Sequence, residues 1–505
     1  MVKSKSVLNL ISNILSLVLS MGLSMWLVPF IINTLGTEAY GFIPLTQQFV
    51  SYMTVISVAL TSMSGRFFTI ARRNDNMLEA ETYFNTSLTA ASIGSILIGI
   101  LILFFSLFIN KIINVPLYLL WDVRLAFLIY GIVFLIGMLT SIFSDAPFAN
   151  NKIYLTSIVN IINIIVKFLV IVLILKVLVP RIWYISLGNL IAGFISLIVS
   201  VYFFKKLEPD IKINYHLFDI DKLKEILSSS VWNSFGWIGT ILFLQIDLLV
   251  ANWNLGPKLA GEYSAVLQLS TLLRTFSGAI TSVFTPTIVA LYATKRIKEL
   301  VKYSNDSVNM TGLLISLPIG LVCGLGGVFL SIWINPSFIK YQGLLSLLTI
   351  HLSVNLSVQS LFAVQTALNK VKIPAVATVV MGVINLGLAL LLSGPVGMGA
   401  YGIALAGAIV LTSKNLVFTP LYVAYITKQA RYAYLKGVIR PVIATLGVAA
   451  FGYLVQNNIT INNWYSFFIV CSGISVIYVI VVYLFLIKKE EKVLFKKIGK
   501  SFIKR

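Results

Sequence analysis

The chain has 505 residues, 58% of them hydrophobic and 11% charged, with a mean hydropathy of +0.95 and a formal net charge of +21. Soluble domains carry about 25% charged residues, so this composition excludes an ordinary soluble enzyme. It also makes the basic excess that of loops facing anionic lipid rather than of a nucleic-acid surface, and no nucleic-acid partner is expected.

A transmembrane helix needs about 20 mainly apolar residues, and fourteen runs qualify. The first, 7–32, follows Lys3 and Lys5, lacks a small-residue cleavage site and reads as a retained helix; it carries Asn13. The second, 41–65, carries Gln48 and ends at Arg66. Runs follow at 84–109, 119–143, 153–178 (with Lys167 at its middle) and 183–204. The longest polar segment, 205–229, contains FDIDKLKEIL, with Asp219 placed to cap a short amphipathic helix. Run 230–253 carries Asn233, Gln245 and Asp247, and run 263–290 carries Gln268 and Arg274. Then come 309–334 (with Cys323), 342–366 (with His351), 374–394, 400–426 (with Lys414), 437–456 and 465–487 (with Cys471), and a basic tail, 488–505. The two cysteines form no CxxC pair, which argues against a metal site or a disulfide framework.

With the N-terminus inside, cytoplasmic segments hold 29 of the 38 Lys and Arg and outer segments six, which predicts an even span count with both termini cytoplasmic. No outer loop exceeds about ten residues, so there is no room outside for a catalytic domain. Glycine and polar landmarks recur about 220 residues apart: Leu35-Gly36 with Leu255-Gly256, Gly41 with Gly261, Asn13 with Asn233, Gln48 with Gln268, and, at 218, Asn151-Lys152 with Asn369-Lys370. Six spans separate the copies, so both halves point the same way, an arrangement found in transporters whose site lies between the halves. The expected organisation is an N-lobe of helices 1–6 (1–204), a connector (205–229), a C-lobe of helices 7–12 (230–436), helices 13–14 (437–487) and the tail.

Ionisable side chains inside spans are costly and usually functional. Lys167, Arg274 and Lys414 against Asp247 leave a net positive interior, matched to an anionic cargo such as a diphosphate. Each cation also has a structural alternative, as a pair member or a snorkelling side chain. Asp247 is read either as a partner of Arg274 or as the seat of a coupling ion, proton or sodium. Asn13, Gln48, Asn233, Gln245 and Gln268 are candidates to hydrogen-bond sugars, or one another across helices. His351 is read as structural before proton-coupling. No Walker loop, HExxH or GxSxG occurs, so neither an enzyme nor a cofactor is expected.

The run FLQIDLLVANWNLGPKLAGEYSAVLQL (243–269), its first-helix counterpart VPFIINTLGTEAYGFIPL (28–45) and the turn GPVGMGAYGIALAGAI (394–409) carry a family resemblance. Together they resemble the polysaccharide transporters, O-antigen and capsule-type lipid-linked oligosaccharide flippases of the multidrug/oligosaccharidyl-lipid/polysaccharide exporter superfamily. The resemblance implies an all-α polytopic fold: two parallel six-helix lobes, MATE-like, around a central cavity, plus two C-terminal helices. It implies translocation of undecaprenyl-diphosphate-linked oligosaccharide from the cytoplasmic to the outer leaflet by alternating access, with membrane lipid and the polysaccharide polymerase machinery as partners. A MATE-like small-molecule exporter would have an acid-rich cavity and twelve spans. A peptidoglycan-precursor flippase would carry arginines in its first two helices, where this chain has only Arg66, at an end. A major-facilitator transporter would show GxxxDRxGRR where RFFTIARRNDNMLEAET stands. A proton-pumping redox subunit needs intramembrane glutamates, and no Glu falls within the fourteen runs.

Overall fold

A computed structural model describes residues 2–486, apart from the side chains of residues 2–7, 10, 233 and 436; the basic tail lies outside the described residues. The described residues form helices and no strand. Fourteen helical stretches are long and apolar enough to cross a membrane: Ile11–Leu35, Thr54–Arg73, Met77–Leu107, Leu117–Ala149, Ile153–Val177, Trp183–Leu207, Ile220–Leu255, Pro257–Ala293, Ile297–Trp333, Pro336–Ala367, Lys372–Ser393, Gly399–Ile426, Gly437–Asn458 and Trp464–Leu486. They are spans 1 to 14 below. The chain is thus a multi-pass membrane protein with the expected number of helices. Only such a helix satisfies its own backbone groups in hydrocarbon.

Several helices outrun their apolar runs because polar flanks continue them to a cap. Span 3 starts at Met77, where Asn76 accepts from the Glu79 amide at 3.2 Å. Spans 8 and 9 have 37 residues each, about 55 Å at 1.5 Å per residue, so they project well beyond a hydrocarbon core of about 30 Å. Asp219 caps as expected, its Oδ1 accepting from the amides of Asp221 and Lys222 at 2.8 and 3.2 Å. The helix it starts is not a separate short one, however: it runs unbroken from Ile220 to Leu244 into span 7. The second run also departs from expectation. It is three helices, Thr37–Ser51, Thr54–Thr61 and Ser64–Arg73, and the apolar crossing is Thr54–Arg73. Ser51 and Thr61 bond back to the carbonyls of Gln48 and Ser57 at 2.6 and 2.9 Å, a habit that bends helices.

The repeat is visible in the backbone. Gly36 and Gly256 have φ of +87° and +83°, Asp75 and Lys295 +55° and +56°, and Asn151 and Asn369 +52° and +54°. Each pair keeps the offset read from the sequence, so the two copies turn at matching residues. The left-handed region favours glycine, with Asn and Asp as the next most tolerant residues.

The chain forms two compact units: residues 1–241 with Gly256–Glu262, and Leu242–Leu255 with Tyr263 onward. In the first, Phe84, Phe143 and Phe204 interlock, with ring centroids of Phe84 and Phe204 4.3 Å apart. Beside them Glu208, 1% exposed, pairs with Arg72 at 2.7 Å and accepts from Asn150 at 2.7 Å. One buried carboxylate therefore ties the ends of spans 2, 4 and 6. Gly41 and Gly261 also meet in this unit: a Cβ on Gly41 would fall 2.6 Å from the Gly261 Cα.

In the second unit, span 13 lies against span 9. Ser316 donates to the Pro441 carbonyl at 2.9 Å. A Cβ on Gly324 would lie 2.7 Å from the Ala449 carbonyl oxygen and 3.0 Å from the Gly452 Cα. Gly324→Leu is expected to lower stability by about 1–3 kcal/mol through overpacking. Thermal unfolding in detergent checks this, and an unchanged melting temperature would contradict the close crossing.

Candidate functional site

Three spans are interrupted at points that lie in the second unit, and the interruptions carry polar side chains. Span 7 breaks at Gln245–Ile246 and restarts at Asp247. Span 10 breaks at His351 and again at Val358–Gln359. Span 12 changes from α- to π-helix over Ser413–Phe418, the segment with Lys414 and Asn415. In the first unit spans 1 and 6, the counterparts of spans 7 and 12, run continuously, whereas span 4, the counterpart of span 10, is also broken, at Ser144. Interrupted helices at membrane depth are tolerated where they serve an ion or substrate, and π segments are frequent at functional sites.

Asp247 is buried at the start of its helix. Asn385 of span 11 hydrogen-bonds to it and also donates to the Leu242 carbonyl at 3.1 Å, so one amide holds both sides of the span 7 break. Gly407 of span 12 borders the pair: a Cβ there would lie 3.9 Å from both Asp247 Oδ2 and Asn385 Oδ1. Asp247 Oδ1, Asn385 Oδ1 and the Tyr263 hydroxyl are buried and have no hydrogen-bond partner. Unmet oxygens around one carboxylate suit a proton or a small hard cation. Among the described residues no three His, Cys, Asp or Glu come together, so the chemistry is that of one carboxylate with neutral oxygens.

Arg274, half-buried in span 8, interacts electrostatically with Asp247, Tyr263 and His351. Among the described residues no direct ion pair joins it to Asp247. The arginine thus acts on the carboxylate electrostatically rather than through a direct ion pair. Lys414 is half-buried, its ammonium 5.6 Å from the Phe243 ring centre and 5.3 Å from that of Phe362. Two ring faces hold the cation with no carboxylate beside it.

The remaining expected site residues are dispersed. Lys167, half-buried, belongs to the first unit. Asn13 is exposed. Gln48 is half-buried with an unpartnered Oε1, Gln268 is half-buried, and Gln245 stands at the span 7 break. The Asn233 side chain lies outside the described residues. Asn385, Tyr263, Asn355 and Asn415 were not singled out by the sequence. A signal for Asn385 existed: it stands 218 residues after Lys167, at the offset of the Asn-Lys landmarks. The glutamate count needs correction too. Glu262 lies within the helix of span 8 and is buried, because that helix begins at Pro257 rather than at the edge of the apolar run.

Residues 6–292 match the family described as polysaccharide biosynthesis protein. A membrane protein of Bacillus subtilis (strain 168), EpsK, is 38% identical over 479 residues, 94% of each chain. Three solved structures share the fold. A multidrug resistance MATE family transporter of the MOP superfamily, inward-facing, aligns over 82% of this chain and 96% of its own at 12% identity and a TM-score of 0.66. The lipid II flippase MurJ, inward closed, aligns over 95% and 100% at 15% identity and 0.66. A MOP superfamily transporter from Pyrococcus furiosus, described by a binding pocket of reversed polarity, aligns over 84% and 96% at 14% identity and 0.62.

Proposed function

Because this chain belongs to the polysaccharide biosynthesis protein family and shares the fold of solved flippases and exporters, we propose that it is a membrane flippase that moves undecaprenyl-diphosphate-linked oligosaccharide units to the outer leaflet for surface polysaccharide assembly. The observation that supports this is a set of three half-buried cations placed inside apolar helices. Lys167, Arg274 and Lys414 stand within spans, and neither cation of the second unit is closed off by a direct ion pair with Asp247. A lipid diphosphate brings two or more negative charges into a region where an unpaired anion is prohibitive. Arg supplies a planar fork for phosphate oxygens and Lys a point charge.

The lipid tail has a place beside the same segment. An open apolar groove of about 620 Å³ is lined by Leu416, Val417, Leu421, Leu435 and Ile439. It begins on the π segment that bears Lys414, so an isoprenoid chain lying there would keep its diphosphate end near span 12. Asp247 with Asn385 takes a coupling proton or cation, and the Asn385 bond to Leu242 transmits its occupancy to the span 7 break. In this reading both termini are cytoplasmic, which the distribution of basic residues supports, the protein sits in the inner membrane, and the two six-helix lobes alternate in access with spans 13–14 added to them.

Cells lacking the protein test the cargo. Lipid-linked repeat units are expected to accumulate while surface polymer falls, and the restored chain reverses both. Unchanged polymer without accumulation overturns the assignment.

A further inference from the structure

Lys414 owes its direction to an unusual piece of backbone. A π segment holds an extra residue relative to the α-turn it replaces, so the helix on one side is rotated against the other by roughly 100°. Such a segment is retained only where contacts favour it over the regular helix. Here they converge on Asn355 of span 10, 2% exposed. Its Nδ2 donates to the His351 carbonyl at 2.9 Å and to Thr412 Oγ1 at 3.3 Å, and lies 2.7 Å from His351 Nδ1, so its two hydrogens are shared among three neighbours. Its Oδ1 accepts from Asn415 Nδ2 at 3.1 Å. Asn415, 4% exposed, in turn accepts from Thr419 Oγ1 at 3.5 Å. Thr412 immediately precedes the π segment, Asn415 lies inside it and Thr419 immediately follows. One buried amide of span 10 therefore holds the segment at its entry and its middle, and through Asn415 at its exit. Lys414 stands between two of the three pinned residues.

We propose that Asn355 is a positioning residue for the translocated headgroup: it locks the π register of span 12 and so fixes where Lys414 presents its ammonium. The contact of the amide with the His351 ring and carbonyl makes His351 the backstop of the lock. Without Asn355 the segment relaxes toward regular helix, and Lys414 turns away from the faces of Phe243 and Phe362. This rests on the role given to Lys414 above.

The test is a double-mutant cycle on the full chain in detergent, with farnesyl diphosphate as the probe and melting temperature measured alongside. Lys414→Ala is expected to weaken binding about 10-fold, one charge-assisted contact's worth. Asn355→Ala should weaken it comparably, and the double variant should bind no worse than Lys414→Ala alone. Asn415→Ala breaks the same lock from the span 12 side and should copy Asn355→Ala, which keeps the test open if Asn355→Ala fails to fold. Full affinity in Asn355→Ala or Asn415→Ala overturns the positioning role. So does an equal further loss in the Lys414→Ala background, the signature of a merely structural residue. Wild-type affinity in Lys414→Ala overturns instead the headgroup role of Lys414.

Discussion

Arg274→Glu is expected to lower surface-polymer output by at least about 100-fold at normal protein levels. At an effective dielectric constant of about 20 and a separation of about 5 Å, one pair of unit charges is worth about 3 kcal/mol. Reversal removes the attraction for a diphosphate and adds a repulsion, and about 2.7 kcal/mol already corresponds to 100-fold in rate. The substitution also sets a second acid near Asp247 and Tyr263, the groups that now feel the arginine. Arg274→Gln separates the two effects: it removes the cation without adding an acid and should retain more output than Arg274→Glu while staying well below wild type. Arg274→Lys keeps the charge but not the fork and should fall between Arg274→Gln and wild type. Polymer assays in a strain depleted of the native chain, with membrane levels measured by immunoblot, check the series. Normal output in Arg274→Glu would remove the arginine from the headgroup path.

The second large effect is expected at Asp247. Asp247→Asn preserves shape and deletes the only charge among the three unpartnered oxygens of the site. If that carboxylate takes the coupling ion, transport in the variant should fall at least about 10-fold, about 1.4 kcal/mol, and lose its response to an imposed proton or sodium gradient. A role confined to balancing Arg274 predicts something else: Asp247→Asn would then cost nothing further in an Arg274→Gln background. Gradient-dependent uptake in vesicles distinguishes the two, and an Asp247→Asn protein that still follows the gradient would contradict ion coupling there.

The membrane spans were legible because the bilayer imposes one rule on every residue between its faces, and apolar runs obey it. The repeat was legible for a related reason: left-handed turns such as Gly36 and Gly256 restrict the residue type at fixed points. The interruptions were not. Nothing in SKNLVF announces a π segment, since its residues are ordinary helix formers or caps, and the register is held from outside by Asn355. The broken second span was hidden in the same way, by hydroxyls bonding back to their own helix. Two charged candidates of the second unit did converge: Arg274 and Asp247 share one electrostatic neighbourhood, and His351 joins it. Neutral partners escaped because an Asn in an apolar helix looks alike in sequence whether it braces two helices or completes a site. Asn385 and Asn355 differ from an exposed amide such as Asn13 only in which way the helix turns them.

The most direct measurement is flipping itself. The purified chain is reconstituted into liposomes holding a fluorescent undecaprenyl-diphosphate oligosaccharide, and an impermeant reagent reports how fast the inner-leaflet label becomes accessible outside. The account predicts accelerated exposure that depends on the protein, is lost in Arg274→Glu, and is competed by excess polyprenyl diphosphate but not by the free oligosaccharide. Exposure no faster than in protein-free liposomes, or competition by the free sugar alone, would contradict a cationic path built for a lipid-linked diphosphate.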